Sequence, residues 1–341
     1  MYNIKLFVRY SPVEILLDDR GVCNLSEVVV PNHIIDGKID LDSIKNAVQL
    51  ATRHALRITN VTIEIPSWDI IQKRDRLLGV SLDGWCEAMD ILDYDEENKI
   101  RLLHTLDEVV QNEANMYAHE MRVPTPLLVT TIKPSGSLAQ LPTVSSGIHR
   151  SFAPYYIRRV RINATDPLAR VMLESGFPVF PETGQGPSAE EFNKLSSYDK
   201  LDILQKANTW VIEFPVSTST TVNAYSESAI DQYERYCMFQ KHWTDHNTSI
   251  TIYVGEDEWE PLFEHIHNTW DDYICVSFLP KDKNIYPLAP YEEISEEEYN
   301  RRASVLKDIE DLNAKLIRIE SSDLATELLD EGCESGICPV R

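Results

Sequence analysis

The residues best suited to chemistry in this chain of 341 residues fall into three short stretches. The first is the pair Cys333 and Cys338, with four residues between them, one a glycine. Two thiols so spaced can close a small disulfide and exchange it with a partner, provided they are accessible and partly thiolate. A tail carrying two unrelated cysteines, or a metal clip, would show the same spacing. The second stretch is Lys133-Pro134-Ser135-Gly136-Ser137, directly after the apolar run 127–132. Pro134 fixes its own φ and drives Lys133 toward extended geometry. Gly136 lets another group approach the backbone. Ser135 and Ser137 add hydroxyls beside exposed N–H groups, a combination that can hold phosphate oxygens. The third is a similar turn, Ser145-Ser146-Gly147, followed by His149. Serine and glycine are common in ordinary surface turns too. Downstream, Arg158, Arg159 and Arg161 form a basic cluster that could reverse the local potential for an anionic ligand.

These stretches need a scaffold, and the hydrophobic periodicity predicts one. Residues 127–132 read as a buried strand, and 4–9, 13–17 and 25–30 as short extended pieces. A helix opened by Asp40 or Asp42 follows, with Leu41, Ile44, Val48, Ala51 and Ala55 on one face. Residues 76–92 read as a buried strand, a turn and a short helix, and 97–121 as a longer helix. A helix over 166–175 is closed by Gly176. The Pro/Gly-rich stretch 178–188 reads as a mobile loop. Strands are predicted over 210–216, 249–254 and 274–279. Helices are predicted over 226–243, 259–273 and 296–319, and the last 21 residues read as a polar, acidic tail. Alternating strands and helices imply an α/β sheet or barrel.

Composition narrows the function classes. A hydrophobic fraction of 43% is enough for a real core. A net charge of −23 repels nucleic-acid backbones and anionic membranes, so neither is an expected partner. No run of 18 apolar residues exists, so no transmembrane helix is expected. The start MYNIKLFVRY lacks the features of a signal peptide, which makes a cytoplasmic location the expectation. The other cysteines, Cys23, Cys86, Cys237 and Cys275, are scattered without metal-ligand spacing, and no metal site is expected.

The words KPSGSL, VSSGIH and APYYIRRVRI, in this order and at this separation, resemble the adenosylcobalamin-dependent (class II) ribonucleotide reductases. The likeness is strongest to the monomeric ribonucleoside-triphosphate reductases. EILLDDRGVCNLSEV near the start, HWTDHNTSITI and the terminal CESGICPVR resemble further landmarks of that family. The resemblance spans residues 14 to 341 but only the C-terminal half or so of the family's usual length. It therefore implies a fragment or the product of a split gene.

That resemblance implies an α/β fold, the C-terminal half of a ten-stranded reductase barrel over residues 1–320, with a redox-active tail over 321–341. It implies that Glu14 is the base acting on the substrate 3′-hydroxyl, and that Cys23, nine residues on, is one of two thiols that reduce the ribose. Cys333 and Cys338 would re-reduce the active-site disulfide and be reduced in turn by thioredoxin. Ser135, Gly136 and Ser137 would hold the substrate phosphates, with Ser145 and Ser146 on the same pocket wall. The family usually carries threonine where Ser137 stands, and the hydroxyl is kept. The implied substrate is a ribonucleoside triphosphate and the implied cofactor adenosylcobalamin. One departure is marked. Where the family has Asn-Pro-Cys-Gly-Glu, this chain has Tyr10-Ser11-Pro12-Val13-Glu14, so Pro12 stands in place of the radical-bearing cysteine. A separate N-terminal fragment would have to supply that thiol, the second reducing thiol and the allosteric region. The alternative is a non-catalytic module that holds nucleotide phosphate or a partner half without turnover.

Overall fold

The computed structural model describes residues 14–136, 138–218, 220, 222–281, 287–307, 314, 315, 317 and 318. In chain order the strands are β1 (Cys23–Val29), β2 (Ile34–Ile35), β3 (Lys38–Ile39), β4 (Leu77–Asp83), β5 (Tyr155–Asn163), β6 (Val179–Pro181), β7 (Thr209–Ser217), β8 (Thr251–Val254), β9 (Ser277–Pro280) and β10 (Tyr291–Glu293). The α-helices are α1 (Leu41–Ile58), α2 (Pro66–Asp75), α3 (Trp85–Leu92), α4 (Glu96–Met121), α5 (Pro167–Glu174), α6 (Ala189–Asn193), α7 (Ser197–Lys206), α8 (Ala229–His242), α9 (Trp259–Asn268) and α10 (Glu296–Lys307). They fall into two compact units, one within 1–151 and 219–282, the other within 152–218 and 283–341.

The first unit is built on parallel pairing. β1 runs parallel to β4, with Cys23 opposite Leu77 and Val29 opposite Asp83. β8 runs parallel to β9. Two parallel bridges, Val80 with Thr130 and Ile132 with Thr248, join these pairs through the extended segment 128–132. Main-chain bonds reinforce the junction, among them Val80 N to the Val129 carbonyl (2.8 Å) and Ser249 N to the Ile132 carbonyl (3.0 Å). Five extended segments thus run in one direction. Parallel neighbours need crossover connections, and α1 with α2, then α3 with α4, and α9 supply three of them. A parallel sheet covered by helices is apolar on both faces, and all seven residues of β4 are buried.

Local chemistry explains the helices. Asp40 caps α1, its carboxylate accepting from Ser43 N at 3.0 Å. Ile44, Val48, Ala55 and Leu56 of α1 turn inward. Leu103, Leu106, Val110 and Ala114 of α4 join the same core. Trp85 of α3 lies edge-on to Phe239 of α8, with ring centroids 4.8 Å apart. Both side chains are essentially fully buried, each contributing on the order of 2–3 kcal/mol from area alone.

The second unit is an antiparallel sheet of order β10-β5-β7-β6. Its spine is a nine-residue ladder from Tyr155 opposite Ser217 to Asn163 opposite Thr209. Phe180, Phe192, Leu204, Trp210 and Val211 form its core. The stretch 178–188, read from sequence as a loop, contains β6, whose three residues pair with residues 210–212 of β7. Nothing local in a Pro/Gly-rich segment signals a strand whose pairing partner lies 30 residues away.

Candidate active site

Glu14 and Cys23 are brought together at one end of the parallel sheet. Cys23 opens β1. Gly79 of β4 lies opposite Leu25, two residues on, and a β-carbon there would come 2.3 Å from Leu25 Cδ2, 2.9 Å from Thr131 Cγ2 and 3.5 Å from Cys23 Sγ. Side chains from β1 and from the segment 128–132 fill the space above this glycine. The Glu14 carbonyl accepts from Asn247 N (3.1 Å) and lies 3.0 Å from Thr131 Oγ1. The backbone that carries the carboxylate is therefore clasped by the segments 128–132 and 246–249. Burial, and then the charge of Glu14, push the Cys23 thiol up to about 12. At neutral pH Cys23 is a protonated thiol, a donor of hydrogen rather than a ready nucleophile.

His246 completes this end. Its Nε2 lies 2.8 Å from the Leu78 carbonyl and 3.9 Å from Cys23 Sγ. A carbonyl only accepts, so Nε2 carries the proton and Nδ1 is the bare nitrogen. Nδ1 is buried with no hydrogen-bond partner among the described residues. Burial lowers the imidazole's pKa, keeping it neutral. Asp245 holds the segment in place, its carboxylate accepting from Val129 N at 2.9 Å and Gln111 Nε2 at 2.9 Å. His246 and Asp245 were not singled out from sequence, although both lie inside the stretch HWTDHNTSITI.

The other end of the same strands carries both Ser/Gly turns. Lys133 N donates to Ser81 Oγ at 2.9 Å, and Ser81, opposite Glu27, lies four positions along β4 from Leu77, opposite Cys23, roughly 13 Å at about 3.3 Å per residue. Ser135 Oγ donates to Glu27 Oε2 (2.9 Å) and accepts from Ala139 N (3.1 Å). Lys133 Nζ lies 2.9 Å from Glu27 Oε1. Gly136 has open space around it. Asp83 Oδ1 accepts from Gly147 N at 2.8 Å, so one carboxyl ties the second turn to the strand beside the first. Gly147 has φ +54°, and a β-carbon there would lie 2.8 Å from the Lys133 carbonyl. Only glycine fits where the two turns touch.

The serines of the second turn differ. Ser145 donates both its N–H (2.8 Å) and its hydroxyl (2.5 Å) to the buried Glu87 carboxylate. Its hydroxyl is committed to the framework, and Ser146 is the more exposed of the two. His149 is also structural: Nδ1 donates to the Ser146 carbonyl (2.9 Å) and Nε2 accepts from Thr251 N (2.9 Å). Cys86 and Cys237 are buried, whereas Cys275 is only half-buried.

Two of the three clustered arginines are paired with carboxylates. Arg158, Arg159 and Arg161 lie on β5 in the second unit. Arg159 pairs with Glu213 (2.7 Å) and Glu292 (2.5 Å), and Arg161 with Glu182 (3.1 Å). Arg158 stacks over the Tyr291 ring at 4.4 Å. Carboxylates thus offset the charge of Arg159 and Arg161, while Arg158 donates to the Pro290 carbonyl and rests on an aromatic ring. Tyr10, Pro12, Ser137, Cys333 and Cys338 lie outside the described residues.

No family model matches the chain. Curated proteins do. The adenosylcobalamin-dependent ribonucleoside-triphosphate reductase of Lactobacillus acidophilus is 27% identical over 360 residues, covering 96% of this chain and 44% of its own length. A putative reductase of the same name from Mycobacterium phage D29 is 25% identical, over 96% of this chain and 46% of its own. A probable one from Dictyostelium discoideum is 24% identical, over 99% and 43%. The chain's relatives are adenosylcobalamin-dependent ribonucleoside-triphosphate reductases. The resemblance seen in the sequence thus runs through nearly all of this chain, which spans less than half the length of those relatives. A crystal structure of a B-12 dependent (class II) ribonucleotide reductase, 21% identical, superposes with a TM-score of 0.73 over 91% of this chain and 44% of that one. The two share an α/β fold. No helix among the described residues is long and apolar enough to cross a membrane.

Proposed function

We propose that this chain is the C-terminal portion of an adenosylcobalamin-dependent ribonucleoside-triphosphate reductase, working with a separate N-terminal half to convert ribonucleoside triphosphates to 2′-deoxyribonucleotides. The observation that carries this reading is the joint placement of Glu14 and Cys23 at one end of the parallel strands, with the Lys133–Gly136 turn at the other. Glu14 is the base that takes the proton of the ribose 3′-hydroxyl. Cys23 is a protonated thiol poised to give hydrogen to the ribose, its disulfide partner coming from the N-terminal half. Gly136 and Ser137 hold phosphate oxygens, while the buried Ser135 hydroxyl, bonded to Glu27 and Ala139 N, braces the turn, and Ser146 lines the neighbouring turn. Cys333 and Cys338 return electrons from thioredoxin to the disulfide so formed. The five parallel segments are half of a ten-stranded barrel. Among the described residues β1 pairs only with β4 and β9 only with β8, and such edges call for pairing partners.

Adenosylcobalamin, for which the relatives are named, supplies the radical in the complete assembly. The described groups of this chain fit the substrate side of the reaction: a carboxylate, a thiol and a turn, with no described residue that can be named as the seat of a corrin. The test is reduction of CTP and ATP with adenosylcobalamin and thioredoxin, by the chain alone and mixed with an N-terminal fragment that carries the radical cysteine. Turnover in the mixture alone is expected. Turnover by the isolated chain would refute the need for a second half. No turnover in either would overturn the reading in favour of a non-catalytic module.

A further inference from the structure

Beneath the Lys133 turn lie two buried carboxyls that the proposed reaction does not use. Glu27 comes from β1 and Asp83 from β4, near the same end of adjacent strands. The Glu27 side chain is 4% exposed and Asp83 is fully buried. One cation serves both. Lys133 Nζ sits 2.9 Å from Glu27 Oε1, an ion pair without hydrogen-bond geometry, since Oε1 has no hydrogen-bond partner. The lysine side chain is 27% exposed, so it is the member of the group that reaches toward solvent. Asp83 Oδ1 takes the Gly147 N–H, and its buried Oδ2 takes no hydrogen bond.

A fully buried Asp83 beside the Glu27 charge is harder to keep ionised once Lys133 leaves. Burial and the charge of Glu27 already push Asp83 up to about 7, against the Gly147 N–H, the Ser135 hydroxyl and Lys133. Lys133 and Glu27 are the charged groups that face Asp83. His149, two residues past Gly147, has both ring nitrogens engaged and stays neutral.

We infer that Lys133 is the anion-contacting residue of the turn, parked on Glu27 while the turn is empty, and that a polyphosphate drawing it away makes the buried Asp83 take up a proton. This rests on the turn's being the phosphate site. Anion binding is then proton-coupled: an ammonium leaves one carboxylate for the phosphate, and a solvent proton replaces its charge inside the fold. A turn built this way holds polyphosphate more weakly as pH rises, because the proton becomes scarcer.

The test is isothermal calorimetry of inorganic tripolyphosphate binding to the full chain, at about pH 7.5, in buffers of different ionisation enthalpy. The slope of heat against buffer enthalpy counts protons taken up. The same measurement on Asp83→Asn, with Glu27→Gln as a second variant should the first fail to fold, removes any contribution from the ligand's own titration. Wild type is expected to take up about 0.5–0.8 proton more per anion than Asp83→Asn, as follows when a group half-titrated near pH 7 becomes almost fully protonated. Lys133→Gln is expected to weaken binding at least tenfold. Binding with equal uptake in wild type and variants would overturn the inference and leave the phosphate turn standing. Absence of binding in wild type would overturn both.

Discussion

Replacing Asp83 by asparagine isolates the cost of the buried carboxyl in the folded protein itself. Folding raises the Asp83 pKa from 3.8 to about 7, first through burial and then through Glu27. The folded state therefore binds this proton more tightly than the unfolded chain does. Its contribution to stability is fully present below the unfolded pKa, declines as pH rises, and is gone above the folded pKa. The whole effect is about 4 kcal/mol, from about 1.4 kcal/mol per pKa unit. About 2.5 kcal/mol of it falls between about pH 5 and about pH 8. Asparagine keeps the oxygen that accepts the Gly147 N–H and cannot ionise, so the variant is expected to lose this part of the pH dependence. Its stability relative to wild type rises with pH. Urea unfolding of both proteins across that range, with equal m-values, gives the two curves. Curves that run parallel to within about 0.5 kcal/mol would refute the claim that Asp83 is forced toward its neutral form.

Two further outcomes follow from named contacts. Glu227 receives Arg235 through both carboxylate oxygens, at 2.5 and 2.7 Å, in a site where their side chains are 7% and 11% exposed. Glu227→Gln is expected to cost about 3–5 kcal/mol in urea unfolding, because it strands a buried guanidinium, while Glu227→Met with Arg235→Met costs much less; a single-variant cost below about 1 kcal/mol would contradict this. Cys23, with its thiol near 12 rather than 9.0, is expected to react with iodoacetamide at neutral pH about 1000-fold more slowly than a free cysteine. Glu14→Gln is expected to accelerate it by removing the carboxylate charge. Peptide mass spectrometry reads both rates, and a wild-type rate equal to that of a free thiol would contradict the burial of Cys23.

Several elements were legible along the chain because their signals are local. Asp40 does cap α1, the long helix predicted over 97–121 is α4 at Glu96–Met121, and α5 is followed by Gly176 at φ +83°. The run before Lys133 pairs with β4 as an extended segment. Capping, periodicity and turn chemistry act over a few residues, so a few residues reveal them. The uncommon words of the chain also pointed to its relatives.

What the sequence by itself determined is thus several of the elements, among them α1, β4 and α4, the two Ser/Gly turns, and the identity of Glu14 and Cys23 as residues worth watching. Tertiary structure alone decided how those residues are surrounded. His246 reaches Cys23 across 223 positions of chain. Glu27 and Asp83 become neighbours through the β1–β4 register, which also makes Lys133 the counter-ion of a buried pair rather than an exposed lysine. Arg159 was set among basic neighbours in sequence and is set between Glu213 and Glu292 in space. Each of these outcomes depends on strand register and burial, which set distances and dielectric between residues far apart in sequence. Electrostatics at a site follows those distances, so no local pattern contains it.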